Sequence, residues 1–416
     1  MSRIDSWLST PQPRLHGAGL LALLLTGSIV VPLSLDMYTP AVPHMAEYFS
    51  TTPVIVNLTL LGYYLFLSLG LLVFGPVSDK IGRKPMLVAG MAGYCLSSVL
   101  CALSVSIWML VVCRVGQALA SGAISAVCTA VVKDAVKADQ REKMLSVIQV
   151  MFVVGPVGAP IIGAAILQVA SWRGTFWVLA AISAAMLTLS LLFSETLPAS
   201  ERLSQGLPKT LGRLVVVAKS KPFVIFLLVT SSFEVAFMAY VSVGSYIYMD
   251  FFGLSALGYS LLFAIASLAC AAGPLIWLAL SSRVSAKRFL TAVLVLCLAL
   301  GVGVATAGHQ SPLVFCLLTL VFAGADAAVR PTSVNILLSQ RDGDTGSVSS
   351  LINFVRTFAG VVGMALAMLP WSDYLVGLGA LIALGAAAAL AGWVWLLRSR
   401  MVLRGIKNGE EAIGLL

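Results

Sequence analysis

Long apolar runs follow one another along almost the whole chain, with short polar segments between them. A helix needs about 20 apolar residues to cross a bilayer, so each run is long enough to span one. Only 10% of the 416 residues are charged and 59% are hydrophobic, against roughly 25% charged residues in soluble domains. The pattern predicts an all-α membrane protein with twelve transmembrane helices. The predicted spans are 17–38, 53–77, 86–106, 108–131, 144–168, 172–193, 223–249, 255–280, 287–308, 312–338, 347–369 and 374–397.

Basic residues orient these spans. A base in the first two positions of a span is counted with the adjoining connection. Of the 26 Lys and Arg residues, 22 then lie at the termini and in alternate connections, three lie inside spans, and only Arg173 falls on the opposite side. Basic loops stay in the cytoplasm, so both termini are predicted to be cytoplasmic. The longest connection gives an N-terminal six-helix half (1–193), a cytoplasmic linker (194–222) and a C-terminal six-helix half with a short tail (223–416). Two pseudo-symmetric halves are typical of a transporter with a substrate site near the membrane midplane.

Several other functions are excluded by residue placement. The seven cysteines lie in apolar runs without a CxxC pair, and the three histidines are scattered. No disulfide framework, metal site or nucleophile–base cluster of a membrane enzyme is therefore expected. The basic residues are dispersed among loops, which argues against a nucleic-acid partner. We expect a protein that is not an enzyme, acts as a monomer and needs no cofactor.

The connection from Gly75 to Lys84 is short and charged. Its spacing predicts a tight loop with three bases facing the cytoplasm, and Gly82 can adopt backbone angles that other residues avoid. Asp79 is the one acid there, and we expect it to hold a partner or cap a helix. An ordinary basic turn remains an alternative. The three bases are Lys80, Arg83 and Lys84.

Charged residues inside the spans are the main site candidates, since each costs roughly 2.5–3.5 kcal/mol at the centre of a span. Asp36 has no base near it in sequence and is a candidate proton carrier, or one member of a structural ion pair. Arg114 is its natural partner and shares a helix face with Gln117. There are three acids and three bases: Asp36, Arg114, Glu234, Asp326, Arg330 and Arg356.

The other four charges lie in the second half of the chain. Glu234 is either a second proton carrier, a counter-charge for a cationic ligand, or a hydrogen-bonding partner of neighbouring serines or helices. Asp326 and Arg330 are four residues apart, which predicts an internal ion pair. Arg356 is interpreted as a gating or packing cation.

The fifth span carries regularly spaced small residues and prolines. The four-residue repeat of Gly155, Ala159 and Gly163 predicts close helix contact, as in many membrane bundles, and prolines favour a bend that would suit a gate. The glycines and prolines of this segment are Gly155, Pro156, Gly158, Pro160 and Gly163.

Four motifs resemble those of a known family. Gly75–Lys84 is similar to the GxLaDrxGRkP signature of the major facilitator superfamily, and Asp36–Pro43 resembles the DMYLPALP element of its Bcr/CflA (bicyclomycin/chloramphenicol resistance) drug–proton antiporters. Arg114–Ala118 resembles the RxxQG element, with Ala118 in place of glycine, and Gly155–Gly163 resembles the antiporter motif.

The resemblance implies proton-driven export of small, mostly apolar drugs across a bacterial inner membrane. It implies that Asp36 couples protons to substrate, that Arg114 senses this protonation, and that Asp79 and Arg83 latch the halves on the cytoplasmic side. Thr26–Ile29 lacks the further acid of some multidrug relatives, which argues against broad cationic specificity. Candidate substrate-lining residues are Tyr38, Gln117, Phe237, Tyr240 and Tyr246.

Rival interpretations are a proton-coupled importer or exporter of a nutrient or metabolite in the same fold, and a pore that needs no proton. The sequence alone leaves them open.

Overall fold

The computed structural model describes most of the chain. The middle of the predicted linker, residues 203–216, and the predicted C-terminal tail from residue 400 lie outside the described residues. The described ranges are 5–202, 217–340, 345–371 and 373–399.

The chain divides into two compact units, Met1–Thr210 and Leu211–Leu416. The boundary falls within the segment 194–222 that the sequence assigns to the linker. Thirteen α-helices are present in the described residues, and twelve of them have 20 residues or more.

The N-terminal unit contains six long helices and one short helix. Ser106 begins α5 by accepting a hydrogen bond from the backbone of Met109, as a residue at a helix start commonly does. In chain order the helices are α1 His16–Asp36, α2 Val42–Tyr48, α3 Pro53–Ile81, α4 Arg83–Ala102, α5 Ile107–Ala135, α6 Ala138–Val169 and α7 Arg173–Leu192.

The C-terminal unit contains six long helices. Four of them begin at a residue whose side chain accepts from the first turn: Ser255, Ser285, Ser311 and Asp373. The helices are α8 Lys221–Tyr246, α9 Ala256–Ser281, α10 Ala286–Thr306, α11 Pro312–Leu338, α12 Thr345–Ala367 and α13 Tyr374–Arg398.

The long helices coincide with the twelve predicted spans. Among the described residues, 11 helical segments are long and apolar enough to cross a membrane. The remaining predicted span lies in α6, whose apolar part, Val154–Val169, is shorter. The all-α membrane fold predicted from hydropathy is confirmed.

The same helix crossings recur in both units. Helices α3 and α5 meet at two glycines, where a Cβ on Gly70 would lie 3.2 Å from the Cα of Gly122. Helices α9 and α11 meet in the same way, where a Cβ on Gly273 would lie 2.5 Å from the carbonyl oxygen of Gly324. Each pair joins the second and fourth long helices of its unit. Small residues allow such close approach, and their recurrence reflects the pseudo-symmetry of the two halves.

The segment Gly75–Lys84 is not the ten-residue loop predicted from its charges. Helix α3 continues through Pro76 and Asp79 to Ile81, and α4 begins at Arg83. Gly82 alone separates the helices, with φ 109° and ψ 157°. These backbone angles are essentially restricted to glycine, so one residue is enough to end the helix.

Arg83 is buried, which corrects the prediction that it faces the cytoplasm. Its guanidinium lies 2.6 Å from Asp79 Oδ1 and 2.8 Å from Asp134 Oδ2. It also donates to Ser78 Oγ at 2.6 Å. Two carboxylates compensate the cation for its loss of water. Lys80, by contrast, is exposed.

Glu195 caps the start of α4. Its carboxylate accepts hydrogen bonds from the backbone of Arg83 at 3.0 Å and of Lys84 at 3.2 Å. It also accepts from the backbone of Thr196 and Leu197, both at 3.0 Å. A helix start leaves N–H groups unpaired and carries partial positive charge, so an acid stabilises it. The segment after α7 is thereby fixed against the Gly82 break.

Replacing Gly82 with Ala should lower the free energy of unfolding by about 1–3 kcal/mol, because alanine rarely adopts these backbone angles. The added Cβ would also collide with the Glu195 carboxylate. The thermal unfolding midpoint of the purified protein in detergent measures the change.

Gly75→Ala is the matched control, since a Cβ there would meet no atom within 4 Å. Equal midpoints for the two variants would contradict the role assigned to Gly82.

Candidate functional site

Asp36 ends α1 inside the N-terminal unit. It is 6% exposed, and its side chain forms no ion pair or hydrogen bond with the described residues. An acid buried without a cationic partner is uncommon, because its charge is costly in an apolar bundle.

Helix α6 packs closely beside this acid. A Cβ on Gly163 would collide with the backbone carbonyl of Met37, the residue after Asp36. About two turns earlier in α6, a Cβ on Gly155 would lie 2.5 Å from Pro32 of α1. Gly158 is not part of this contact, since a Cβ there would meet nothing within 4 Å. The four-residue repeat therefore faces α1, and it fixes the backbone on which Asp36 lies.

The prolines of this segment, Pro156 and Pro160, lie inside α6, which continues through both of them.

Arg114 lies in α5 and is completely buried. Its Nη1 donates to the backbone carbonyl of Ser34 at 2.9 Å and to Gln117 Oε1 at 2.7 Å. Gln117 in turn donates to Ser98 Oγ at 2.8 Å. Ser34 precedes Asp36 by two residues, so the guanidinium reaches α1 beside the acid without contacting it.

Aromatic rings surround the same guanidinium. Its carbon lies 4.2 Å from the centroid of the Tyr63 ring, 5.3 Å from that of Tyr38 and 5.8 Å from that of Phe176. Ring faces attract cations, and more strongly where water is absent. These rings stabilise the charge of Arg114 without neutralising it.

The expected Asp36–Arg114 ion pair does not form in this structure. Arg114 Nε and Nη2 are buried and have no hydrogen-bond partner in the part of the chain that the structure describes. The N-terminal unit thus contains an acid without a cation and a cation with two unused donor nitrogens. The rings and the Ser34 carbonyl hold the guanidinium in this position.

The C-terminal unit arranges its charges differently. Arg330 Nη2 lies 2.6 Å from Asp326 Oδ2, four residues earlier in α11. The same nitrogen lies 3.3 Å from Glu234 Oε2, and Arg356 Nη2 lies 3.4 Å from that oxygen. Two acids and two bases from α8, α11 and α12 form one charge-balanced network, which we call the C-terminal quartet.

The quartet narrows the interpretation of Glu234. It contacts two arginines on other helices, Arg330 and Arg356, in keeping with the alternative that it bonds to neighbouring serines or helices. Arg330 also lies over the ring of Phe237, 5.9 Å from its centroid. Glu234 is therefore a member of an ion network, whereas Asp36 stands without a cation.

Most candidate substrate-lining residues are packed in this structure. Tyr38 shares a hydrogen bond of 3.2 Å with Thr59, and Gln117 belongs to the Arg114 network. Tyr240 stacks on Phe263 with ring centroids 5.7 Å apart. Tyr246 is also buried, 5.6 Å from the Tyr374 ring, whereas Phe237 is partly exposed.

Sequence reasoning missed the partners of the Gly82 break. Asp134 holds Arg83, and Glu195 caps α4 from 112 residues away. The pattern that singled out Asp79 was a single acid among bases. Asp134 shares the segment 132–143 with two more acids and four bases, so this pattern does not distinguish it.

Comparisons with known proteins agree with this architecture. The chain matches the Major Facilitator Superfamily over residues 24–364. It is 30% identical over 358 residues to YdgK, an uncharacterized MFS-type transporter of Bacillus subtilis, covering 85% of this chain and 88% of that protein.

Relatives named for drug resistance match shorter parts. A chloramphenicol resistance protein of Pseudomonas aeruginosa is 28% identical over 61% of this chain and 59% of its own length. The multidrug resistance protein MdtL of Escherichia coli is 30% identical over 41% of this chain and 44% of its own length.

Among solved structures, the peptide transporter POT in complex with sulfate superposes with a TM-score of 0.77. The match covers 95% of this chain and 96% of that one at 14% identity, which speaks for the fold alone. The family match over most of the chain, together with twelve long helices in two similar units, establishes that this multi-pass membrane protein belongs to the Major Facilitator Superfamily.

Proposed function

We propose that this transporter exports small, mostly apolar drugs in exchange for protons, as a member of the Bcr/CflA drug–proton antiporters. In this proposal it lies in a bacterial inner membrane with both termini in the cytoplasm. It acts as a monomer, is not an enzyme and takes its energy from the proton gradient without a cofactor.

The main support for this proposal is the environment of Asp36. This buried carboxylate has no cationic partner among the described residues, where Arg114 also keeps two unused donors on the neighbouring helix. An acid so placed can bind a proton when water reaches it and release it when a cation approaches. Arg114 would favour release by contacting the ionised carboxylate in another conformation. Such an exchange couples protonation to the opening of the transporter.

The choice of drugs as substrates draws on the relatives and on the motifs. Two relatives are named for chloramphenicol and multidrug resistance. The segment Asp36–Pro43 and the glycine face of α6 support the antiporter subfamily in particular, since the α6 face packs directly against the end of α1.

The cluster around Arg83 would control the rate of conformational change. Arg83 holds Asp79 and Asp134 together at the break between α3 and α4, and Glu195 adds a connection to the end of α7. The cluster joins α3, α4, α5 and the segment after α7, which would then move together.

Asp36→Asn should reduce proton-driven efflux to background while the protein still inserts. Asparagine keeps the size of the side chain but cannot exchange a proton. Uptake of radiolabelled chloramphenicol into inverted membrane vesicles with an imposed proton gradient measures efflux, because an exporter accumulates substrate inside them.

Glu47→Gln is the matched control, as Glu47 is an exposed acid of the same unit. Gradient-dependent accumulation by the Asp36→Asn variant would remove Asp36 from the mechanism. Failure of the unmodified protein to accumulate any drug would favour a nutrient or metabolite transporter.

Asp79→Asn should slow transport turnover more than it weakens drug binding, because Arg83 keeps Asp134 while losing one carboxylate. Initial transport rates and equilibrium binding to the purified protein separate the two effects. Asp139→Asn, at an exposed acid in the first turn of α6, serves as the control. An unchanged rate for Asp79→Asn would mean that this contact is structural only.

A further inference from the structure

The two arginine contacts of Glu234 are the longest in the C-terminal quartet. Asp326 Oδ2 lies 2.6 Å and 3.2 Å from two nitrogens of Arg330. Glu234 lies 3.3 Å from Arg330 and 3.4 Å from Arg356. Hydrogen bonds between charged groups are typically about 2.7–2.9 Å. Glu234 is therefore held less tightly by its arginines than Asp326 is, and its contact with Arg356 is the link between α8 and α12.

The quartet also has unused hydrogen-bonding capacity of both kinds. Asp326 is 1% exposed, and its Oδ1 is buried without a hydrogen-bond partner among the residues that the structure describes. A buried acceptor left unpaired destabilises a structure unless something donates to it. Among the described residues, Arg356 donates to Glu234 alone, although a guanidinium carries five N–H groups. Asp326 Oδ1 can therefore accept, and Arg356 can donate, further hydrogen bonds beside the Glu234–Arg356 contact.

Charge balance decides which ligand these groups can accept. The quartet has two acids and two bases and is neutral as a whole. A ligand carrying a single charge would leave a net charge in the apolar bundle, which is costly. A ligand that brings one positive and one negative group keeps the sum at zero, and it requires no proton.

We propose that the long Glu234–Arg356 contact, 3.4 Å, opens to bind a zwitterion. The ammonium of the ligand donates to Glu234 and Asp326 Oδ1, and its carboxylate accepts from Arg356. The partly exposed ring of Phe237, beside Arg330, contacts the apolar body of the ligand. This assignment rests on the proposed export function, and it adds to the mostly apolar drugs one further class of substrate, apolar molecules that carry both an ammonium and a carboxylate group.

Three probes with the same phenyl group test the assignment: L-phenylalanine, phenethylamine and phenylpropionate. The second lacks the carboxylate and the third lacks the ammonium. Binding to the purified full-length protein in detergent is measured by isothermal titration calorimetry. L-Phenylalanine should bind about tenfold more tightly than either analogue, as expected when each charged end gains a hydrogen-bonded partner.

A double variant tests the site itself. Glu234→Gln with Arg356→Gln removes one acid and one base, so the remaining pair is still neutral and no buried charge is stranded. The three probes should then bind with similar affinity. Arg283→Gln, at an exposed base of the same unit, should leave the tenfold preference intact.

Equal binding of the three probes to the unmodified protein, or binding of none of them, would overturn the assignment. Persistence of the preference in the double variant would do the same. Because binding in detergent needs no proton gradient, Asp36→Asn should keep the preference for L-phenylalanine. Failure of proton-driven efflux and failure of zwitterion binding are therefore distinguished by separate measurements.

Discussion

The cost of placing a charge inside an apolar helix bundle is the constraint on which this structure depends. The two units meet it in different ways. The C-terminal unit joins two acids and two bases into one neutral network across α8, α11 and α12. The N-terminal unit holds Asp36 without a cation and keeps Arg114 charged among aromatic rings. Acids and bases in contact balance each other's charge, whereas the separated Asp36 and Arg114 can still form an ion pair in another conformation.

The N-terminal arrangement is supported by rigid packing. The glycine face of α6 contacts the end of α1, which fixes the backbone at Met37 next to Asp36. Arg114 is held by the carbonyl of Ser34, by Gln117 and by the ring of Tyr63. These contacts hold the backbone beside Asp36 and the guanidinium of Arg114 in place. Their separation is built into the packed helices, and a change of conformation is needed to bring them together.

Local patterns predicted much of this structure. Hydropathy located all twelve long helices, because each is an apolar run with polar ends. The Asp326–Arg330 contact followed from a four-residue spacing within one helix, which brings the two side chains to the same face. The small-residue repeat of α6 indicated a contact surface for the same reason.

Features that depend on distant parts of the chain were not predictable from those patterns. Hydropathy could not show that α3 continues through the charged residues to Ile81, since a polar helix end and a loop look alike. Arg83 is buried because Asp134 lies 51 residues away in sequence and next to it in space. In the same way, the carbonyl of Ser34, rather than Asp36, holds Arg114, and this depends on how α1 and α5 pack.

In the proposed mechanism, Asp36 exchanges a proton as substrate binds. Adding chloramphenicol to the purified protein in weakly buffered solution and recording the pH measures this exchange. Drug binding should release protons from the unmodified protein and none from the Asp36→Asn variant. Equal proton release from both proteins would rule out Asp36 as the group that exchanges the proton.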